Sequence, residues 1–114
     1  MSDRIPTELF VTSNIRACQA QGMNVYVAHK GDAHSGMILL KIVNKGFQCR
    51  LFGQMRDVDG ALKWFDRLQG ATVSESEADQ MVKSVIVNDP DIWVIEIETP
   101  DGENPFEGKS INLA

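Results

Sequence analysis

Met37-Ile38-Leu39-Leu40-Lys41-Ile42-Val43, followed by Asn44-Lys45-Gly46 and then Phe47-Gln48-Cys49-Arg50-Leu51, is the stretch that decides the fold. From Met37 to Val43 apolar residues occupy both odd and even positions. Side chains on a strand alternate between faces, so a run that is apolar on both parities reads as a central strand covered on both sides. The flanking glycines, Gly36 and Gly46, favour a strand over a short buried helix. Asn44-Lys45-Gly46 supplies a hairpin turn, after which Phe47, Cys49 and Leu51 share one face and Gln48 and Arg50 the other. A sheet is therefore expected at the centre of the molecule.

Moving back along the chain, the polar link Gly31-Asp32-Ala33-His34-Ser35-Gly36 turns into that strand from an earlier one. In the segment from Met23 to Lys30, Val25 and Val27 alternate with Asn24 and Tyr26, the two-residue period of a strand with one wetter face. Residues 7–21 read as a helix: Thr7 as its cap, Glu8 in its first turn, Val11, Ile15 and Cys18 on one stripe, and Gly22 as its stop. This gives three antiparallel strands after one helix.

Moving forward, Asp59-Gly60 is a hairpin signal, although Val58, Ala61, Leu62 and Phe65 also fit a helical stripe. The turn favours a fourth strand over residues 61–68. Ser74 and Glu77 form a capping box ahead of Ala78, Met81, Val82 and Val85, and Asn88-Asp89-Pro90 ends that second helix. In Ile92-Trp93-Val94-Ile95-Glu96-Ile97-Glu98, Trp93, Ile95 and Ile97 face inward, and Glu96 and Glu98 face solvent. After Thr99, Pro100, Gly102, Pro105 and Gly108 break any period, and Phe106, Ile111 and Leu113 are too sparse for a core element. The reading is thus a single α+β domain over residues 1–98 with a mobile tail over 99–114. Two helices pack on one face of a largely antiparallel sheet of four to five strands, in the order helix, strand, strand, strand, the fourth strand, helix, strand.

Composition narrows the function classes. The 114 residues suit one core, and 43% hydrophobic with 24% charged residues is an ordinary globular balance. Sixteen acidic against eleven basic side chains give a net charge of -5, which disfavours a nucleic-acid partner because the basic residues are scattered. No apolar run approaches the roughly 20 residues that span a bilayer, and the start, with Asp3, Arg4 and Pro6, has no signal-peptide core. A cytoplasmic location and no membrane partner are expected. Cys18 and Cys49 sit in apolar patterns and read as two core thiols.

Candidate chemistry is thin. His29, Asp32 and His34 are the only residues crowded enough to supply ligands to a divalent metal, but the glycines and serine around them are turn formers, so no metal is assigned. Ser35 beside His34 hints at a nucleophile and base, yet adjacent residues on a turn rarely face one another. Asp89, Asp91, Glu96, Glu98, Asp101, Glu103 and Glu107 lie beside turns or on a strand face where solvation explains them. Trp64 and Trp93 alternate with aliphatic residues and read as core. Neither Gly-x-Gly-x-x-Gly nor Gly-x-x-x-x-Gly-Lys occurs, and no cofactor is expected.

Lys30-Gly31-Asp32-Ala33-His34-Ser35-Gly36 leading into an apolar strand, together with Asp89-Pro90-Asp91-Ile92-Trp93-Val94-Ile95-Glu96-Ile97-Glu98, resembles a small bacterial family of unknown function, DUF1491. The likeness runs from about Thr7 to Glu98 and implies the same element order, a cytosolic bacterial protein and no assigned activity. In that family an acidic residue usually stands at the position of His34 and a basic one at that of His29, which weakens the metal reading further. The two motifs single out Lys30, Asp32, His34, Asp89 and Asp91 as candidate ligand or partner contacts. No catalytic residue is assigned. The leading expectation is a binding or assembly module, with a homodimer as one form. The alternative is a small-ligand binder or enzyme whose element order loosely resembles half of an acetyl-transferring acyltransferase. Against that, Ser74-Glu75-Ser76-Glu77 would repel a pyrophosphate at the start of the second helix.

Overall fold

The computed structural model describes residues 5–106 and the backbone of residues 110–111. The elements are α1 (Thr7–Ala20), β1 (Asn24–His29), β2 (Ile38–Val43), β3 (Gln48–Arg56), β4 (Leu62–Asp66), β5 (Val73–Ser74), α2 (Glu75–Asn88), β6 (Trp93–Glu98) and β7 (Ser110–Ile111). Five strands have five residues or more, and β5 and β7 are two-residue ladders beside β3 and β4. The α+β class, the two helices and the mainly antiparallel sheet follow the sequence reading, and residues 62–66 are the fourth strand that Asp59-Gly60 signals. Gly60 supplies the positive φ, 82°, that the β3–β4 turn requires.

The connectivity departs from that reading. The sheet runs β1-β6-β2-β3-β4-β7, so β1 does not lie beside β2. Strand β6 inserts between them, antiparallel to β1 and parallel to β2, with Ile38–Val43 in register with Trp93–Glu98. The physical reason is burial. β2 and β6 are the most apolar strands, and placing them side by side in mid-sheet covers both, leaving the half-polar β1 at the edge.

A second correction concerns the layers. The helices cover opposite faces, as a doubly apolar β2 demands. Val11 and Cys18 of α1 join Ile38, Leu40, Ile42, Phe52, Ile95 and Ile97 in one cluster. Across the sheet, Leu39, Leu51, Ile92 and Val94 pack against Val82, Val85 and Ile86 of α2. The free thiols are therefore buried on different faces, Cys18 under α1 and Cys49 beside Ala78 of α2. Burial pushes the ionisation of both thiols up.

Local chemistry explains the ends of the elements. The box at α2 forms as its spacing predicts, with the Glu77 amide donating to Ser74 Oγ and the Glu77 carboxylate accepting from the Ser74 amide. At α1 the cap is Pro6, and Thr7 is already helical with no side-chain cap. Phe47 is not a strand residue facing inward. It takes the left-handed conformation, φ 61°, in the β2–β3 turn and is exposed. Met81, expected on the apolar stripe of α2, is partly exposed too, because only the Ala78, Val82 and Val85 side of the helix meets the sheet.

The residues after Glu98 also contradict the sparse-tail reading. The Thr99 amide donates to the Val43 carbonyl, and the Arg50 guanidinium donates to the Gly102 carbonyl and Asp66 while lying 4.7 Å over the Phe52 ring. Asp66 is half-enclosed, which alone would raise its pKa, but the hydrogen bonds from Arg50 and from the Leu68 and Gly70 amides bring it below its ordinary value. This strap carries Phe106 to 3% exposure, edge-on to both Phe10 and Trp64 at 6.2 Å between ring centroids. One large aromatic placed at the open end of the α1 face is sufficient for core packing without any periodicity. The Ile111 side chain and Leu113 lie outside the described residues.

Candidate functional site

The two sequence motifs meet in space. The Asp32 amide donates to the Asp91 carbonyl at 2.9 Å, and the Trp93 indole Nε1 donates to the Asp32 carbonyl at 2.8 Å. Gly31 and Gly36 lie against this junction so closely that a Cβ at either would run into the Asp91 carbonyl and the Trp93 ring. His29 Nδ1 sits 2.8 Å from the Ile92 carbonyl and is the donor there, which places its proton on Nδ1. The glycines serve close approach, and the motif reads as a clasp between the start of β6 and the loop before β2.

The same loop caps α1. The Thr7 and Glu8 amides donate to the carbonyls of His34 and Ala33, and Thr7 Oγ1 donates to the Gly36 carbonyl at 2.9 Å. Backbone carbonyls thus take the helix amides that a side-chain cap would otherwise satisfy. The Asp32 carboxylate folds the loop by accepting from the His34 amide, the Ser35 amide and Ser35 Oγ. Those bonds, the two from Ser35 first, hold its pKa below the ordinary carboxylate value.

Of the five candidate contacts, Asp32, His34 and Asp91 therefore work inside the clasp, the latter two through their backbones. Lys30 pairs with Glu8 at the surface, 3.6 Å away. Asp89 ends α2, its Oδ1 accepting from the Asp91 amide at 3.3 Å. Ser35 points its hydroxyl to Asp32 and not to His34. Among the described residues, no three His, Cys, Asp or Glu side chains gather as a metal site would need, and His29, Asp32 and His34 are not brought to a common point.

Two features on the α2 face go beyond the sequence reading. Lys41 is 5% exposed, and its ammonium reaches Asp79 at 2.8 Å, Glu96 at 3.1 Å and Glu75 at 3.6 Å. Burial opposes its charge, but the hydrogen bonds to Asp79 and Glu96 outweigh it and raise the pKa. Glu96 is thus half-buried in an ion network and not on a solvated face as its alternation implied. It also accepts a hydrogen bond from Tyr26, whose hydroxyl is pushed up to about 12, chiefly by that bond. The network fastens α2 to β2 and β6.

The second feature is a cleft of about 340 Å³ where the C-terminal end of α2 leaves the sheet. Leu39, Gly53 and Ile92 line it with Val85, and Arg67, Gln54, Asn88 and Asp89 supply its polar groups. Gly53 has no side chain because the Phe65 ring and the Arg67 stem take its place, a Cβ there meeting the ring at 2.9 Å. Asp89 is the one sequence candidate that lines this cleft. The glycine inside an otherwise regular strand was the available signal for the rest.

The chain matches the model of a family described as a protein of unknown function (DUF1491) over residues 5–107. Similar solved structures include a crystal structure of a DUF1491 family protein from Caulobacter crescentus CB15, 30% identical with a TM-score of 0.84, covering 95% of this chain and 100% of that one. An NMR structure of a DUF1491 family protein from the same organism is 32% identical, with a TM-score of 0.83 over 95% of this chain and 97% of that one. A solution structure of a protein from A. tumefaciens, 24% identical, shares the fold with a TM-score of 0.78 over 97% and 99% of the two chains. No curated protein matches the chain.

Proposed function

We propose, from the premise that the chain belongs to the DUF1491 family, that it is a cytoplasmic binding and assembly module with no catalysis of its own, and that two copies pair along β1. The observation that carries this is the outer edge of β1. Among the described residues no strand lies beside it, and Asn24–His29 include no Asp, Glu, Lys or Arg. Sheet edges are ordinarily guarded by charge, by proline or by bulges. Among the described residues the only guard is the irregularity between Val27 and His29, so Asn24 to Val27 offer a neutral ladder. Tyr26 is 54% and Val27 40% exposed on it. Antiparallel pairing about a two-fold axis would set uncharged residues opposite one another, which a net charge of -5 elsewhere does not oppose at short range. Two free buried thiols on opposite sheet faces suit a reducing compartment. Nucleic acid and membrane are not proposed as partners. No helix among the described residues is long and apolar enough to cross a membrane.

Native mass spectrometry with and without chelator tests this directly. A dimer without added mass is the expected result, and Val27→Glu, which puts a charge on the pairing edge of each copy, should return the monomer with an unchanged circular dichroism spectrum. A monomeric wild-type protein at high micromolar concentration refutes the pairing. The second reading, a small-ligand binder, has the cleft at the end of α2 in its favour. The pyrophosphate of an acyltransferase's acyl donor is a poor fit, because α2 opens with Glu75 and Glu77 and the Glu77 amide is already bonded to Ser74.

A further inference from the structure

We infer that the strap over residues 100–106 is a lid: it swings open as one unit about Thr99 while the sheet stays folded, and so gates the aromatic end of the α1 face. The inference is independent of pairing along β1, which concerns another edge of the sheet.

The first observation behind it is how little holds the strap. Pro100 and Pro105 have no amide to donate. The amides of Gly102, Glu103 and Phe106 turn inward on the segment itself, to the Thr99 carbonyl, Asp101 Oδ1 and Asn104 Oδ1. Among the described residues, Arg50 alone bonds the strap to the body, through the Gly102 carbonyl at 3.2 Å and the exposed Glu103 carboxylate at 3.5 Å. The Thr99 amide is fixed to the Val43 carbonyl, which puts the hinge directly after it.

The second observation is where polar groups are buried without a partner. Among the described residues three side-chain atoms are in that position, Arg50 Nε, Thr99 Oγ1 and Asn104 Nδ2. All three lie in the strap, at its hinge or in the arginine that holds it. A buried polar atom without a hydrogen bond bears its full desolvation cost, and exposure to water relieves it. Closing the lid therefore carries a penalty that opening removes.

The third observation is that the body keeps its own bonds when the strap leaves. Arg50 stays bound to Asp66 at 2.9 Å and stacked on Phe52, and Asp66 keeps the Leu68 and Gly70 amides. What parts is the contact of Phe106 with Phe10 and Trp64. Burial of that ring favours the closed form, and the three unpartnered atoms oppose it. The balance puts the open form at roughly 0.1–1% of molecules, within the range of minor native states. An open lid uncovers the Phe10 and Trp64 rings, an apolar surface that the closed molecule conceals.

The test is proteolysis of the full chain by chymotrypsin across a urea series below the unfolding midpoint, with fragments weighed by mass spectrometry. Cleavage after Phe106 needs that buried ring in the protease, and cleavage after Phe52 or Trp93 needs the sheet to come apart. When reclosing is fast, each rate follows the population of the open form. Cleavage after Phe106 should lead by about tenfold or more and should hardly change with urea, because lid opening exposes little surface. Thr99→Val, which keeps the shape and removes the unpartnered hydroxyl, should slow it by about fivefold or more. Arg50→Gln, which removes the catch, should raise it by about tenfold relative to cleavage after Phe52. Cleavage after Phe106 that rises with urea in parallel with cleavage after Phe52 and Trp93 would overturn the lid. So would a wild-type strap left uncut below the midpoint, a Thr99→Val strap cut at the wild-type rate or faster, or a ratio unchanged by Arg50→Gln.

Discussion

Ile38, Leu40 and Ile42 of β2 point to α1, while Leu39, Lys41 and Val43 of the same strand point to α2. On the α1 side the sheet is closed: aliphatic strand residues meet the helix, and Trp64, Phe106 and Phe10 seal the far end. On the α2 side a buried ammonium replaces a hydrocarbon in mid-sheet, and a cleft stands open where the end of the helix leaves the sheet. One strand thus serves two layers of different character. The closed face stabilises, and the other gives up packing for charge and space.

The largest expected effect tests the closed face. Phe106→Ala should cost about 3–4 kcal/mol in urea unfolding, as for other buried aromatics, and a loss below about 1 kcal/mol would mean that the strap does not complete the core. Next, the double variant Asp79→Asn with Glu96→Gln strands Lys41 with only the more distant Glu75, and should cost about 3 kcal/mol because an uncompensated buried charge is worse than none. Gly31→Ala, which forces the clasp open against Asp91 and Trp93, should cost about 2 kcal/mol on the scale of overpacked sites. Smallest of all is Lys41→Met combined with Glu96→Gln, which removes the ammonium together with its most buried partner. The remaining partners Glu75 and Asp79 are about half exposed and can return to water, so this replacement should change stability by about 1 kcal/mol or less.

Titration separates the faces in the opposite directions of pH. Asp66 under the strap has a folded pKa below its ordinary 3.8, so its contribution is present above 3.8 and is lost as pH falls through the lowered value. Lys41 has a folded pKa above its ordinary 10.5, so its contribution is complete below 10.5 and is lost as pH rises through the raised value. Urea midpoints from pH 2 to pH 11 should show the acid limb shrink in Asp66→Asn and the alkaline limb shrink in Lys41→Met. If the limbs are unchanged, those groups do not hold the fold.

Much of the fold is legible in the chain because each element carries its own local signal. Ser74 and Glu77 start α2, the double apolar parity marks β2, and Asp59-Gly60 joins β3 to β4. What was not legible is non-local. Nothing within Trp93–Glu98 says that it lies beside β2 and displaces β1, since both neighbours accept the same alternation. Lys41 is hidden for a similar reason, because a lysine in an apolar run reads as a tolerated interruption until three carboxylates from α2 and β6 are seen to surround it. Lys30-Gly31-Asp32 and Asp89-Pro90-Asp91 stand out as motifs, but what marks them is a clasp and a helix stop. Of that list only Asp89 reaches the cleft, and Arg67 carries no sequence signal beyond its charge.

The insertion of β6 between β1 and β2 also sets an order of events during synthesis. Asn24 meets Glu98 across 74 positions of chain, and Lys41 meets Glu96 across 55. Strands β2, β3 and β4 can form their hairpins as they leave the ribosome, but β1 has no strand to pair with until β6 has emerged. Topology of that kind lengthens the search for the native state. β1 is thus the one strand of five residues or more that joins the sheet only through β6, and the sheet is continuous from β1 to β4 only once β6 lies beside β2.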